Sequence, residues 1–305
     1  MTRAPVAMFA YRRAGHLRRA LASLAANPPA RDTDLFLFCD GAKGRRDAAQ
    51  VAAVRAVARA ASGFRSLTVV ERERNLGLAR SLIAGITELL ERSERVIVVE
   101  DDLVLSPYFL GFMNDALELY AGDERVASVH GYLFPVRAAL PETFFLLGAD
   151  CWGWATWRRA WRHFEPDAAA LLRRLRERRL EREFDLDGAY PYTRMLELQA
   201  RGKLDSWAIR WRASCYLAGL VTLYPGRSVV RNAGLDRSGT HRDDSTEFEV
   251  KLADAPVGVQ RIPVEPSAAG RAAYAEFLGG LQSHSRLRRA WRYASWLVRR
   301  VHARA

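Results

Sequence analysis

The chain has 305 residues, 49% of them apolar and 10% aromatic, enough to bury a sizeable core as one large domain or two small ones, and this excludes a chain that stays disordered. Its 47 Lys+Arg against 35 Asp+Glu leave a net charge of +12, and with lysine only at Lys43, Lys203 and Lys251 the other 44 bases are arginines. Seven of these arginines fall in residues 284 to 305 with no acid among them, so the remainder of the chain is only mildly basic. Cys39, Cys151 and Cys215 are odd in number, widely spaced and outside any CxxC pair, which argues against a disulfide framework or a structural zinc site and points to a reducing cytosol. Met1 to Tyr11 runs into an apolar strand pattern without the features of a secretory signal, and no apolar run has bilayer-spanning length. The expectation is a cytoplasmic protein whose contact with a membrane, if it has one, is at the surface.

In chain order, Pro5 to Ala10 reads as a buried strand, residues 16 to 26 as a helix carrying Leu17, Ala20, Leu21 and Leu24, and Asp34 to Cys39 (DLFLFC) as a second strand. The rhythm continues with a helix over Ala48 to Ala61, a strand over Ser66 to Val70, a helix over Leu76 to Leu90 and a strand over Arg95 to Val99 that ends in Glu100-Asp101-Asp102. Such alternation predicts a parallel sheet with helices on both faces and a ligand site at the carboxyl ends of its strands, where Asp40 and the acidic triplet fall. Further on come a helix from Ser106-Pro107 to Tyr120, a strand over Val126 to His130, a Trp-rich turn leading into a helix over 152 to 161, and an Arg/Glu-rich helix over 170 to 184 with a solvated face. Trp157 and Trp161, four residues apart, are read as core packing on that Trp-rich helix. Residues 246 to 283, with Pro256, Pro263, Pro266 and paired glycines at 279 and 280, read as an irregular wrap or linker. The domain layout is therefore a catalytic unit over 1–245, this wrap, and a basic amphipathic helix over 284–305.

Three carboxylates in a row at the end of VIVV repel one another unless a cation is present, and Mg²⁺ or Mn²⁺ suits such hard oxygen donors while holding phosphate oxygens on its open positions. Asp40-Gly41 closes the LFLFC strand in a tight turn, and Arg13, Asn75 and Arg80 gain meaning only as a set around the same crevice. Trp152 and Trp154 flank Gly153, where backbone can approach a ligand and indole faces suit sugar rings. Asp205, beside Trp207 and ahead of an apolar helix, reads either as a helix N-cap or as a functional carboxylate. Asn232 to His241 (NAGLDRSGTH) is a Gly- and hydroxyl-rich loop whose imidazole offers a metal or phosphate contact.

The ordered set PVAMFAYRR, LFCDG, RNLGLARSLIAGI, VVEDDLVLSPYFL, CWGWATWRRAW, DSWAIRW and SGTH, from about residue 5 to 241, resembles nucleotide-sugar glycosyltransferases of the GT-A type. It is similar to bacterial glycosyltransferase family 2 and, more distantly, to the eukaryotic protein N-acetylglucosaminyltransferase I family. The resemblance implies a Rossmann-like nucleotide-sugar-binding sheet and metal-dependent, inverting transfer from a UDP-sugar to a hydroxyl of a glycan or lipid-linked glycan. It further implies that Arg13 and Asp40 contact the base, Asp40 accepting from the uracil NH. Glu100 and Asp101 would face the ribose or donor sugar, with Ala10, Arg80, Gly153 and Trp154 completing the donor site. Asp102 and His241 would bind Mn²⁺ or Mg²⁺, and Asp205 would be the catalytic base. Ser206 and Tyr11 stand where the eukaryotic family carries acids.

Two other readings compete. A sugar-nucleotide pyrophosphorylase needs a Gly-rich loop where Tyr11-Arg12-Arg13-Ala14-Gly15 stands, and a basic nucleic-acid-binding protein needs a base-reading motif that the sequence lacks. Over 284–305, Leu287, Ala290, Trp291, Ala294, Leu297, Val298 and Val301 form one apolar stripe flanked by arginines. That pattern suits a helix lying in the headgroup region of an anionic membrane, at the inner face of the cell membrane.

Overall fold

The computed structural model describes residues 3–236 and 246–282, so His241 and the basic stripe over 284–305 lie outside the described residues. Ten strands are described: β1 (Val6–Ala10), β2 (Asp34–Cys39), β3 (Ser66–Glu71), β4 (Arg95–Glu100), β5 (Leu103–Leu105), β6 (Val126–His130), β7 (Thr143–Leu147), β8 (Trp154–Trp157), β9 (Val221–Pro225) and β10 (Val230–Asn232). The helices are α1 (Ala14–Ala25), α2 (Ala48–Arg59), α3 (Leu78–Arg92), α4 (Phe109–Leu119), α5 (Arg158–Trp161), α6 (Ala168–Glu177), α7 (Glu181–Phe184), α8 (Tyr192–Ala200) and α9 (Trp207–Leu217), with a further helical stretch over 268–282. An eight-stranded sheet runs β3-β2-β1-β4-β8-β6-β9-β7, and β5 pairs with β10 in a separate antiparallel ribbon.

The alternation of the strands divides the core into two layers, because successive side chains leave opposite faces of a sheet. Val6, Met8, Ala10, Leu35, Leu37, Ile97 and Val99 meet α1, α2 and α4 on one face. Ala7, Phe9, Phe38, Val96 and Val98 meet α3, α5 and α9 on the other. Burying each such aliphatic or aromatic side chain contributes about 1.5–3 kcal/mol before conformational entropy is set against it. The strands β3, β2, β1 and β4 are parallel, whereas β8 runs antiparallel to β4. Connections leave β1 toward β2 on one side and reach β4 on the other, so the crevice at the carboxyl ends of β1 and β4 is the switch point where open α/β sheets bind ligands.

The structure departs from the periodicity reading in three places. Trp157 ends β8 in one core layer while Trp161 lies in α5 in the other, so the pair shares no helical face. The Arg/Glu-rich helix is broken: α6 stops at Glu177, Arg179 takes a left-handed φ of 56°, and α7 restarts at Glu181. Residues 268–282 are helical through both glycines, and Tyr274 and Leu278 are buried. The stretch before it is bound to the domain: Ser106 Oγ donates to the Ala253 carbonyl (2.8 Å), Tyr120 Oη to the Gln260 carbonyl (3.2 Å), and the Ser267 NH to the Phe145 carbonyl (2.8 Å). Among the described residues no helix is long and apolar enough to cross a membrane.

Candidate functional site

Three parallel strands deliver their ends to one edge. The Asp40 NH donates to the Ala10 carbonyl (2.9 Å) and the Asp101 NH to the Phe9 carbonyl (3.0 Å), so the chain leaving β2 and β4 flanks the end of β1. There the turn into α1 places Arg13 against the acids: its Nη2 lies 2.6 Å from Asp101 Oδ1 and 2.7 Å from Asp102 Oδ2. Burial alone would lower the Arg13 pKa, but the two carboxylates outweigh it and raise it. Burial pushes Glu100 up to about 8, with Asp102 and Asp101 adding repulsion and Arg13 opposing. Asp101 is also raised by burial, against the pull of Arg13. Arg13 bridges two of the three acids and supplies the counter-charge that carboxylates crowded at one strand end need.

The ribbon β5–β10 brings residues 232–236 over the triplet. The Ala233 NH donates to the Asp102 carbonyl (2.8 Å), and a Cβ on Gly234 would fall 2.2 Å from Asp102 Oδ2, so only glycine lets this segment pass so close to the carboxylate. His16 Nε2, on α1, holds the same segment at the Ala233 carbonyl (3.2 Å).

Asp40 is 5% exposed and has four partners: Oδ1 accepts from the Gly41 NH (2.9 Å) and the Leu76 NH (2.8 Å), and Oδ2 from Asn75 Nδ2 (2.9 Å) and the Gly77 NH (3.0 Å). A carboxylate offers about four lone-pair sites. All four accept from within the protein, and so Asp40 ties the β2 turn to the turn entering α3. Its neighbour Asp47 was not singled out from the sequence. Asp47 gathers the Tyr11 hydroxyl, the Lys43 NH (3.1 Å) and the Gly44 NH (3.0 Å), fixing the β2–α2 loop beside the β1 turn. The signal available was an acid directly before a helical pattern.

Asp205 comes to the same edge from the far half of the chain. A Cβ on Gly77 would lie 3.9 Å from Asp205 Oδ2, so this carboxylate faces the turn that Asp40 organises. It is not the N-cap of α9: Ser206 is, its Oγ accepting from the Ile209 NH (3.3 Å). The Asp205 side chain is 67% exposed, and its nearest cation, Arg210 Nη2, stands 3.8 Å away. Arg80 is exposed on α3 one turn from Gly77.

The aromatic segment plays a different part from the one read in the sequence. Trp154 is fully buried and stacks on Trp207 with ring centroids 5.3 Å apart, so its indole face holds α9, and with it Asp205, to the sheet instead of meeting a sugar. Gly153 has a φ of 63°, and a Cβ there would meet Val230 Cγ2 at 2.6 Å; its open side is filled by the protein. Trp152 remains half-buried, edge-on to Tyr132 (4.8 Å).

For a divalent ion, the chemistry of the donors is suitable: Asp102 is a hard carboxylate with a partly open side chain, 16% exposed. Among the described residues no three His, Cys, Asp or Glu side chains converge on one ion position. An ion held by one or two carboxylates, with substrate phosphates and water completing its shell, needs no such cluster.

No family model and no curated protein matches the chain. Solved structures similar to it include a mannosyltransferase, PcManGT from Pyrobaculum calidifontis, in complex with GDP-Man and Mn²⁺, at 18% identity over 43% of this chain and 35% of that one, with a TM-score of 0.33. S. aureus TarS 1-349 is similar at 12% identity over 77% of this chain and 61% of that one, with a TM-score of 0.42. Its complex with UDP is similar at 16% identity over 47% and 39% of the two chains, with a TM-score of 0.32. The chain spans about a third of the mannosyltransferase and less than two thirds of TarS 1-349.

Proposed function

We propose that this protein is a glycosyltransferase that moves a sugar from a nucleoside diphosphate sugar to a hydroxyl group of a glycan or lipid-linked glycan, with inversion at the anomeric carbon. The observation that carries this reading is the meeting of two kinds of acid at one sheet edge. An acidic triplet, two of whose members are bridged by Arg13, stands at the β1/β4 switch point, and a solvent-facing carboxylate, Asp205, stands across the Asp40-organised turn. The first suits a charged, phosphate-bearing donor and the second suits proton removal from an acceptor that arrives from solvent.

The acceptor hydroxyl gives its proton to Asp205 as its oxygen bonds to the anomeric carbon. The bond from that carbon to the diphosphate breaks on the opposite face, and its electron pair leaves with the nucleoside diphosphate. Base assistance of this kind is worth roughly 10² to 10⁴ in rate. Asp102 would hold Mn²⁺ or Mg²⁺, which when bound supplies positive charge to the departing diphosphate. Arg13 bridges Asp101 and Asp102 and holds them in register, while Ala10, Glu100 and the Asp40 turn frame the donor.

The experiment is a panel of UDP-, GDP- and dTDP-sugars, with and without Mn²⁺, read by release of nucleoside diphosphate and by thermal shift. One donor class should release its diphosphate slowly to water and raise the melting temperature, since a ligand at 100 times its dissociation constant stabilises by about 2.7 kcal/mol. No release and no shift with any of the panel would overturn the reading.

A further inference from the structure

The two oxygens of Asp102 stand in different surroundings. Oδ2 takes Arg13 Nη2 at 2.7 Å, while Oδ1 has no hydrogen-bond partner among the described residues and is partly open to solvent. Against the engaged oxygen lies the backbone of Gly234, where an added Cβ would overlap Asp102 Cγ at 2.8 Å as well as Oδ2. The carboxylate is therefore wedged between a guanidinium and the segment 232–236, and the place of that segment decides how the carboxylate can turn. The β5–β10 ladder delivers the segment, with Asn232 opposite Leu103 and the Ala233 NH donating to the Asp102 carbonyl (2.8 Å). Asn232 Oδ1 then accepts from the Gly234 NH (2.7 Å), which bends the chain across the acid.

The same bend is gripped from α1. His16 stands in the first turn of α1, three residues after Arg13, and its side chain is 11% exposed. Its Nε2 lies 3.2 Å from the Ala233 carbonyl and 3.2 Å from Asp236 Oδ2. Both partners are acceptors, so Nε2 carries the proton and donates on either side of Gly234. We propose that His16 is a positioning residue for Asp102: by holding the chain before and after Gly234 it keeps that glycine against Oδ2, so that Oδ1 is the oxygen presented to a divalent ion and its diphosphate. This rests on the reading of Asp102 as the metal-holding carboxylate and goes beyond it by naming the group that orients it. Groups that orient a metal-binding side chain without touching the ion change its affinity by roughly 10- to 100-fold when removed.

The test compares the full-length wild type with His16→Gln, His16→Asn and Gly234→Ala. Glutamine carries an N–H at the reach of Nε2, whereas asparagine falls one bond short of it. Gly234 has no left-handed φ, so alanine there acts through its contact with Asp102 and not through backbone strain. Two quantities are read: hydrogen exchange at Ala233 and Gly234 in the protein alone, and Mn²⁺ affinity from the resonance signal of the free ion, with saturating UDP and separately with GDP. The inference predicts exchange about tenfold faster in His16→Asn, Mn²⁺ binding about tenfold weaker in His16→Asn and Gly234→Ala, and His16→Gln within about twofold of wild type in both. Unchanged exchange in His16→Asn would overturn it, as would wild-type Mn²⁺ affinity in Gly234→Ala. So would a His16→Gln variant as weak as His16→Asn, since the donated hydrogen bond would then not be what matters. A wild type that binds no Mn²⁺ with either nucleotide overturns the metal reading of Asp102 and the proposal with it, whereas Mn²⁺ bound alike by wild type and His16→Asn overturns the proposal alone.

Discussion

Asp205→Asn should abolish transfer in a protein that still folds and still binds nucleoside diphosphate. The amide keeps the shape of the carboxylate and cannot take a proton, so turnover should fall by roughly 10² to 10⁴ while donor affinity stays within a few-fold. Its stability should change by no more than about 0.5 kcal/mol, because the side chain is 67% exposed and the cap of α9 belongs to Ser206. Ser206→Ala gives the reverse pattern, a loss of about 1 kcal/mol in stability with turnover in the folded protein largely kept. Single-turnover kinetics and thermal melts of the two variants separate these roles. Transfer that survives in Asp205→Asn would move the base elsewhere.

Arg13→Leu should carry the largest cost in stability. The guanidinium is 19% exposed and pairs with two carboxylates that are 7% and 16% exposed, so its removal strands like charges at the end of a central strand. Breaking a buried pair in this way costs about 3 to 5 kcal/mol. Arg13→Lys should recover part of it, since an ammonium restores the charge and not the two-pronged geometry. Millimolar Mg²⁺ or Mn²⁺ should stabilise Arg13→Leu more than wild type, as a second cation finds the vacated carboxylates. Urea melts with and without the ion measure both effects, and a variant as stable as wild type would show that Arg13 does not hold the triplet together.

The parallel half of the fold was legible because its inner strands β1 and β4 are apolar on both faces and its strands are flanked by turn residues. DLFLFC was placed at its observed limits, and β1, β3 and β4 within a residue or two. The second half was less so. Trp154–Trp157 is a four-residue strand buried all through, and so short an aromatic run carries neither the period of a helix nor that of a strand. Helix α9 packs Trp207, Trp211 and Cys215 against the sheet and Ile209, Ala213 and Leu217 against α6–α8, so it has no polar face to mark its orientation. In the site, the sequence showed which residues gather at strand ends and not what they bond. That Asp40 would spend its acceptor positions on Asn75, Leu76 and Gly77 as well as its neighbour Gly41, or that Arg13 would turn inward onto Asp101 and Asp102, depends on side-chain geometry across segments separated by 35 to 89 residues. The capping ambiguity at Asp205 likewise rested on a one-residue choice between two good N-cap residues, Asp and Ser.

The central claim is that the carboxyl edge of β2, β1 and β4 binds the donor. Hydrogen exchange of the intact protein, alone and saturated with the nucleoside diphosphate that its donor panel selects, tests it most directly. Protection is expected at residues 10–14, 40–47, 74–78 and 100–103, the segments that this edge brings together, with little change on α6 to α8. Protection confined to α6 to α8, or no protection at saturating ligand, would contradict the account.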